Sequence, residues 1–199
     1  LTLWTRPVVN PKLHEFGMTT AKVRVELALR FTEQQAALQH AASHDLLTGL
    51  ANRGALVDAL DGQVGGGALL YCDLDRFKPV NDSFGHGAGD DVLKVVGERL
   101  ASCVRAGDVV ARMGGDEFVV LCRGLDRDGV EAVARRIVGV VSEPIVLGAT
   151  TVEVGASVGV AYDAVGLDRG ALVAADGALY EAKSAGRGGV RWVDASPSS

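Results

Sequence analysis

The sequence predicts an α/β domain of the α+β kind, a mixed sheet flanked by helices in a ferredoxin-like or palm-like arrangement. Three observations carry this. Runs of strand length alternate along the chain with stretches of helical period. The run "GALLYCDLD" (67–75) is apolar until it ends in acids, as expected of a strand covered on both faces. The stretch "DVVARMGGDEFVVL" (108–121) reads as two strands joined by a glycine turn, a hairpin that makes part of the sheet antiparallel.

Taken in order, residues 1–20 hold Pro7, Pro11 and Gly17 without sustained periodicity and read as a linker. A helix is expected over 21–42, where Leu27, Phe31, Leu38 and Ala41 form a stripe that Gln34 interrupts. Two readings fit it: a short coiled coil joining the domain to an upstream module, or a helix packed on its own domain. A second helix has "NRGALVDAL" (52–60) as its body. After the strand at 67–75, a helix over 90–103 places Val92, Leu93, Val96 and Leu100 on one face. The hairpin follows, then a helix over 127–143 ending at Pro144, then two more strands, of which "TVEVGASVGVAY" (151–162) is the clearer. A last helix covers 171–186. The resulting domains are a linker and helical extension (1–42), one globular domain (43–193) and a disordered tail (194–199).

The chain has 199 residues, 48% of them hydrophobic, enough to bury a core and too many for a disordered chain. Its net charge of −5 speaks against a protein that coats nucleic acid, so an anionic ligand has to be held by local cations or metal. Cys72, Cys103 and Cys122 form no C-x-x-C pair and read as small buried hydrophobes in a reducing compartment. No apolar run reaches 18 residues, so the fragment is expected in the cytoplasm. The first residue is Leu1, so the chain reads as a piece of a longer protein, whose other parts could carry a membrane anchor.

The chemistry concentrates at strand ends. Asp73 and Asp75 emerge together at the end of a strand, and period-two alternation turns both to one face. Asp116 and Glu117 are adjacent in a hairpin turn, although like charges repel. A divalent cation resolves that conflict. Hard carboxylate oxygens suit Mg²⁺, and two such ions about 3.5–4 Å apart can activate a hydroxyl and stabilise a leaving oxyanion. Gly114 and Gly115 allow a tight turn and let a phosphate approach without a Cβ in the way.

Other stretches join these: "DLLTGLANR" (45–53), "DLDRFKPVNDSFGHGAGDDVL" (73–93), "RMGGDEF" (112–118), "SVGVA" (157–161) and "ADGALYEAKSAGR" (175–187). Together they cover about three-quarters of the chain, and the chain resembles the GGDEF domain family, the diguanylate cyclases. The resemblance implies a nucleotidyl cyclase fold whose hairpin carries the active-site turn. It implies condensation of two GTP to cyclic di-GMP with release of two pyrophosphates, two Mg²⁺ or Mn²⁺ ions per site, and a homodimer of facing active sites paired through the helix at 21–42. No nucleic-acid partner is expected.

Position by position, Asp73, the backbone carbonyl of Leu74, Asp116 and Glu117 match metal-binding positions. Asp116 also matches the base that takes the ribose 3′-hydroxyl proton, and adjacent metal-bound acids share their work. Lys78 matches a stabiliser of the negative charge that builds on phosphorus. Asn81 and Asp90 match the guanine readers, with His86 near them on the same loop and Phe77 placed with the substrate-binding residues. Asp90 can accept from guanine N1–H and the exocyclic amine, a donor pair that adenine lacks. Lys183 and Arg187 match triphosphate-binding positions. Arg105 and Asp108 match the R-x-x-D inhibitory site for cyclic di-GMP, to which Arg136 could add a contact. Two departures stand out: Gly54 where a second arginine is frequent, and a glycine after Arg187 where asparagine is common. Neither touches a metal or base-reading position. The rival readings are a domain that binds cyclic di-GMP without turnover, and an enzyme that joins ATP with GTP.

Overall fold

The computed structural model describes residues 20–195, so the expected linker before Thr20 and the expected tail beyond Ala195 lie outside the described residues. The chain divides into two compact units, 1–42 and 43–199. Helix α1 (Thr20–Ser43) makes up the described part of the first. A Glu26–Arg30 ion pair of 2.9 Å, one turn apart, ties its surface. Its apolar residues Val25, Leu27, Leu29 and Phe31 stand about 60% exposed. Leu38 and Ala41, the rest of the expected stripe, have side chains outside the described residues. Among the described residues no helix is long and apolar enough to cross a membrane.

The second unit runs α2 (Arg53–Asp61), β1 (Gly67–Asp75), α3 (Phe77–Ser102), β2 (Val109–Gly114), β3 (Glu117–Arg123), α4 (Arg127–Val141), β4 (Ile145–Leu147), β5 (Thr150–Val152), β6 (Gly155–Asp163), α5 (Gly170–Ser184) and β7 (Val190–Asp194). Its main sheet has the order β2-β3-β1-β6-β7, antiparallel except for the parallel β6–β7 edge. β4 and β5 form a separate two-stranded sheet.

The continuous apolar run of β1 follows from its central place with both faces covered. Ala68, Leu70, Cys72 and Leu74 join the core with α3 and α4, whereas Leu69 and Tyr71 join a second core with Leu56 and Leu60 of α2 and Ala171 and Ala175 of α5. Asn52 caps α2 by accepting from Ala55 N (3.0 Å), and Asp126 caps α4 by accepting from Gly129 N (2.9 Å). All three cysteines are free and buried, and burial pushes the Cys122 thiol up to about 12.

Three elements depart from expectation. The helix expected from Asp90 begins at Phe77, so Asn81 and His86 lie on a helical segment and not on a loop. Pro79 is tolerated in the first turn, where its missing N–H would have no helical partner. Gly85, at φ 82° and ψ 167°, then breaks the helix into two limbs. The run 151–162 divides into β5 and β6, which belong to different sheets. Val190–Asp194, expected to lead into a tail, is the parallel edge strand β7, and Asp194 closes it.

Candidate active site

The alternation that sends Leu70, Cys72 and Leu74 toward α3 sends Tyr71, Asp73 and Asp75 to the α5 side. In register, Asp73 faces Glu117 of β3 on one flank and Ser157 of β6 on the other. The hairpin turns through Gly114 (φ 139°) and Gly115 (φ 53°), left-handed values that favour glycine. The turn docks on the end of β1, where Leu74 N donates to the Asp116 carbonyl (3.3 Å). The structure therefore brings Asp73, Leu74, Asp116 and Glu117 together at one end of the sheet.

Lys183 of α5 reaches over this end and places Nζ 2.7 Å from Asp73 Oδ2. Burial raises the Asp73 pKa. The Lys183 contact opposes the rise, and the charges of Asp116 and Glu117 add to it. Asp73 thus lies within the field of two further carboxylates, with an ammonium already drawn to it, an excess of negative charge on hard oxygens that suits a divalent cation. Among the described residues no group of three or more His, Cys, Asp or Glu side chains is placed to hold a metal ion by itself. One or two carboxylates suffice where the ion also binds substrate phosphates, as Mg²⁺ commonly does.

Asp75 has a different part. It is 6% exposed, accepts from Ser157 Oγ at 2.9 and 3.0 Å, and accepts from Gly188 N at 3.0 Å. It ties the end of β1 to β6 and to the loop after α5, where Arg187 Nε lies 3.7 Å from it. Arg76 (φ 64°) and Arg187 (φ 65°) both hold a left-handed backbone beside it, strain of the kind that functional sites retain. Both line a cavity of about 340 Å³ with Asp75 and Gly188. Lys78 stands exposed in the first turn of α3, close in sequence to Arg76.

The two limbs of α3 meet where Gly89 approaches Asn81. A Cβ on Gly89 would lie 2.0 Å from Asn81 Oδ1 and 3.2 Å from the Phe77 ring. The Asn81 amide thereby sits against Gly89, the residue before Asp90, while Phe77, 8% exposed, packs beside Gly89 from the core. His86 is exposed at the kink. Gly89→Ala is expected to displace the flexible Asn81 amide with little change in stability. A ligand held by that amide should bind about tenfold more weakly, the scale of one lost hydrogen bond, as equilibrium binding would show.

A support missed by the sequence reading joins "DLLTGLANR" to the turn. Arg112 donates from Nε (3.0 Å) and Nη2 (2.8 Å) to the Gly115 carbonyl, and from Nη1 to both oxygens of Asp45 (3.1 Å each). Asp45 also accepts from Thr48 N (2.9 Å) and Oγ1 (2.7 Å). Burial works against the Asp45 charge, but the Thr48 and Arg112 contacts outweigh it and hold its pKa below the ordinary 3.8. Its stabilisation is fully present above the unfolded value and is lost as pH falls through the depressed folded value. Asp45→Asn should therefore flatten the acid limb of stability, followed by thermal unfolding from about pH 7 down to about pH 3.

Asp108 is largely taken up by its own loop. Its side chain is 2% exposed, with Oδ1 accepting from Arg123 N (3.0 Å) and Oδ2 from Arg105 N (3.3 Å). Asp108, expected at an inhibitory site, is buried here as the organiser of its loop, with Arg105 as the exposed partner that donates to the Arg123 carbonyl. Arg123, a further unanticipated residue, binds Gln63 Oε1 (3.0 Å), Gly107 O (3.0 Å) and Ala59 O (2.9 Å) and fixes that loop to the end of α2. Arg136 lies next to the same loop, donating to Cys103 O (2.7 Å).

Known proteins resemble this chain in sequence and in fold. The bifunctional diguanylate cyclase/cyclic di-GMP phosphodiesterase MucR of Pseudomonas aeruginosa is 40% identical over 164 residues, 78% of this chain and 24% of that protein. The cyclic di-GMP phosphodiesterase PdeR of Escherichia coli is 39% identical over 161 residues, 77% of this chain and 24% of that protein. The chain thus spans about a quarter of the length of these relatives. Among solved structures, the coiled coil and GGDEF domain of DgcB from Caulobacter crescentus, in complex with c-di-GMP, superposes with a TM-score of 0.76 at 26% identity, over 88% of this chain and 100% of that one. The family model for the diguanylate cyclase GGDEF domain matches residues 42–189, and the chain belongs to that family.

Proposed function

We propose that this chain condenses two GTP molecules into cyclic di-GMP, releasing two pyrophosphates, as a homodimer dependent on Mg²⁺ or Mn²⁺. The observation that carries the reading is the opposition of Asp73 to Glu117 in register, with the Asp116 turn docked on Leu74 N and Lys183 on Asp73. A divalent ion bound there, two per site in the full reading, would lower the charge on the phosphates and on the attacking oxygen. Asp73, Asp116, Glu117 and the Leu74 carbonyl would hold it.

Asn81 and Asp90 read guanine, His86 borders their pocket, and the buried Phe77 supports it. Lys183 and Arg187 receive the triphosphate beside the cavity at Asp75, and Lys78 offers a point charge to the reacting phosphate. Asp116 takes the proton from a ribose 3′-hydroxyl. That oxygen bonds to the α-phosphorus of the second GTP as the bond to pyrophosphate breaks, and the same exchange in the opposite sense closes the ring. One domain presents one GTP, so two copies must face each other. The exposed apolar residues of α1 give a means of pairing them, and the parent protein could place the domain in the cytoplasm beside a membrane anchor. Product would bind through Arg105, with Asp108 shaping the loop and Arg136 adjacent, and slow the enzyme.

Chromatography of nucleotides after incubation with Mg²⁺ and GTP, ATP or both is the test. Cyclic di-GMP from GTP alone is the expected product. A mixed cyclic dinucleotide as the main product would contradict the roles of Asn81 and Asp90.

A further inference from the structure

Tyr71 sits on β1 two residues before Asp73 and is half-buried against the core formed by α2 and α5. Its hydroxyl donates to Glu117 Oε2 at 3.1 Å. In the β1–β3 register Glu117 pairs with Asp73, so Tyr71 meets it on the diagonal, a reach that long and aromatic side chains can make. We propose that Tyr71 is a positioning residue: its hydroxyl fixes the Glu117 carboxylate over the end of β1, where Glu117 lies opposite Asp73, with one oxygen engaged and the other left for a divalent ion. This rests on the reading of the site as a divalent-dependent cyclase.

Two physical points support it. A glutamate side chain loses rotamer freedom when it is fixed, and a hydrogen bond made in the fold fixes it before the ligand arrives. The donor is also anchored: the Tyr71 ring is set in the core by a strand held on both sides, by β3 and by β6. Contacts of this kind, one step removed from an ion, orient its ligands and contribute to affinity. The simpler alternative is that Glu117 merely satisfies a half-buried phenol, as buried tyrosine hydroxyls require. In that case removing the hydroxyl changes neither ion affinity nor the behaviour of Glu117.

The two are separated with Mn²⁺ as the probe, its binding to the full chain followed by electron paramagnetic resonance with a GTP analogue carrying a methylene between the α- and β-phosphorus. Tyr71→Phe is expected to weaken Mn²⁺ binding about tenfold, with saturating Mn²⁺ restoring most of kcat. Its thermal midpoint and its cyclic di-GMP affinity should match the wild type. In a Glu117→Gln background the same change should have no further effect, because the hydroxyl acts through Glu117. Equal Mn²⁺ affinity in the wild type and Tyr71→Phe, or additive effects of the two substitutions, would overturn the role of Tyr71 alone. A wild-type chain that binds no Mn²⁺ with the analogue would overturn the metal reading, and the role of Tyr71 with it.

Discussion

Asp116→Asn is expected to lower the initial rate of cyclic di-GMP formation by about a thousandfold, the scale on which removal of one preorganised charge acts. It should not destabilise the fold. The fixed part of Asp116 is its carbonyl, which accepts from Leu74 N, and asparagine keeps that bond. The substitution also removes one of the negative charges that disfavour ionised Asp73. Without divalent ions the variant should therefore unfold at the same temperature as the wild type or slightly higher, while its activity collapses. An Asp116→Asn chain that keeps the wild-type rate would remove this residue from the chemistry.

Gly159→Ala should act through the fold with a comparably large effect. A Cβ at Gly159 of β6 would lie 2.1 Å from Ala175 O and 2.2 Å from Leu179 N, both backbone atoms of α5. Backbone cannot move aside as a side-chain tip can, so α5 has to lift from the sheet. Overpacking of this kind costs about 3 kcal/mol, which in a chain of this size lowers Tm by about 6–12 °C. The same helix carries Lys183, so activity should fall even below the unfolding transition, as thermal unfolding and initial rates together would show. A variant with unchanged Tm would mean that the close approach of α5 to β6 is not a constraint.

The sequence made much of this arrangement legible for physical reasons. β1 was readable because a strand buried on both faces is uniformly apolar, and its terminal acids were readable because the apolar run stops at them. The hairpin turn was marked by Gly114 and Gly115, which its left-handed backbone favours. The N-terminal part of α3 was hidden by composition: Pro79, Gly85, Gly87 and Gly89 all lower helix propensity, while Phe77 and Val80 hold its first turn in the core. β7 is short and sits on an edge, where pattern is weak. The supports of the site were hidden because they are long-range pairs. Nothing local links Arg112 to Asp45, or Tyr71 to Glu117, and only the folded sheet brings them together. Asp108 shows the opposite limit: motif position indicated a site, but which way its carboxylate faces is decided by the amides of Arg105 and Arg123.

The most direct measurement of the central claim is the initial rate of cyclic di-GMP formation from GTP and Mg²⁺ across a range of protein concentrations, after bound nucleotide has been stripped and with product continuously removed. The account predicts cyclic di-GMP, with a rate per molecule that rises with protein concentration until the domains are paired. Absence of product at every concentration, from a folded protein that still binds cyclic di-GMP, would contradict it and leave a domain that senses the dinucleotide without making it.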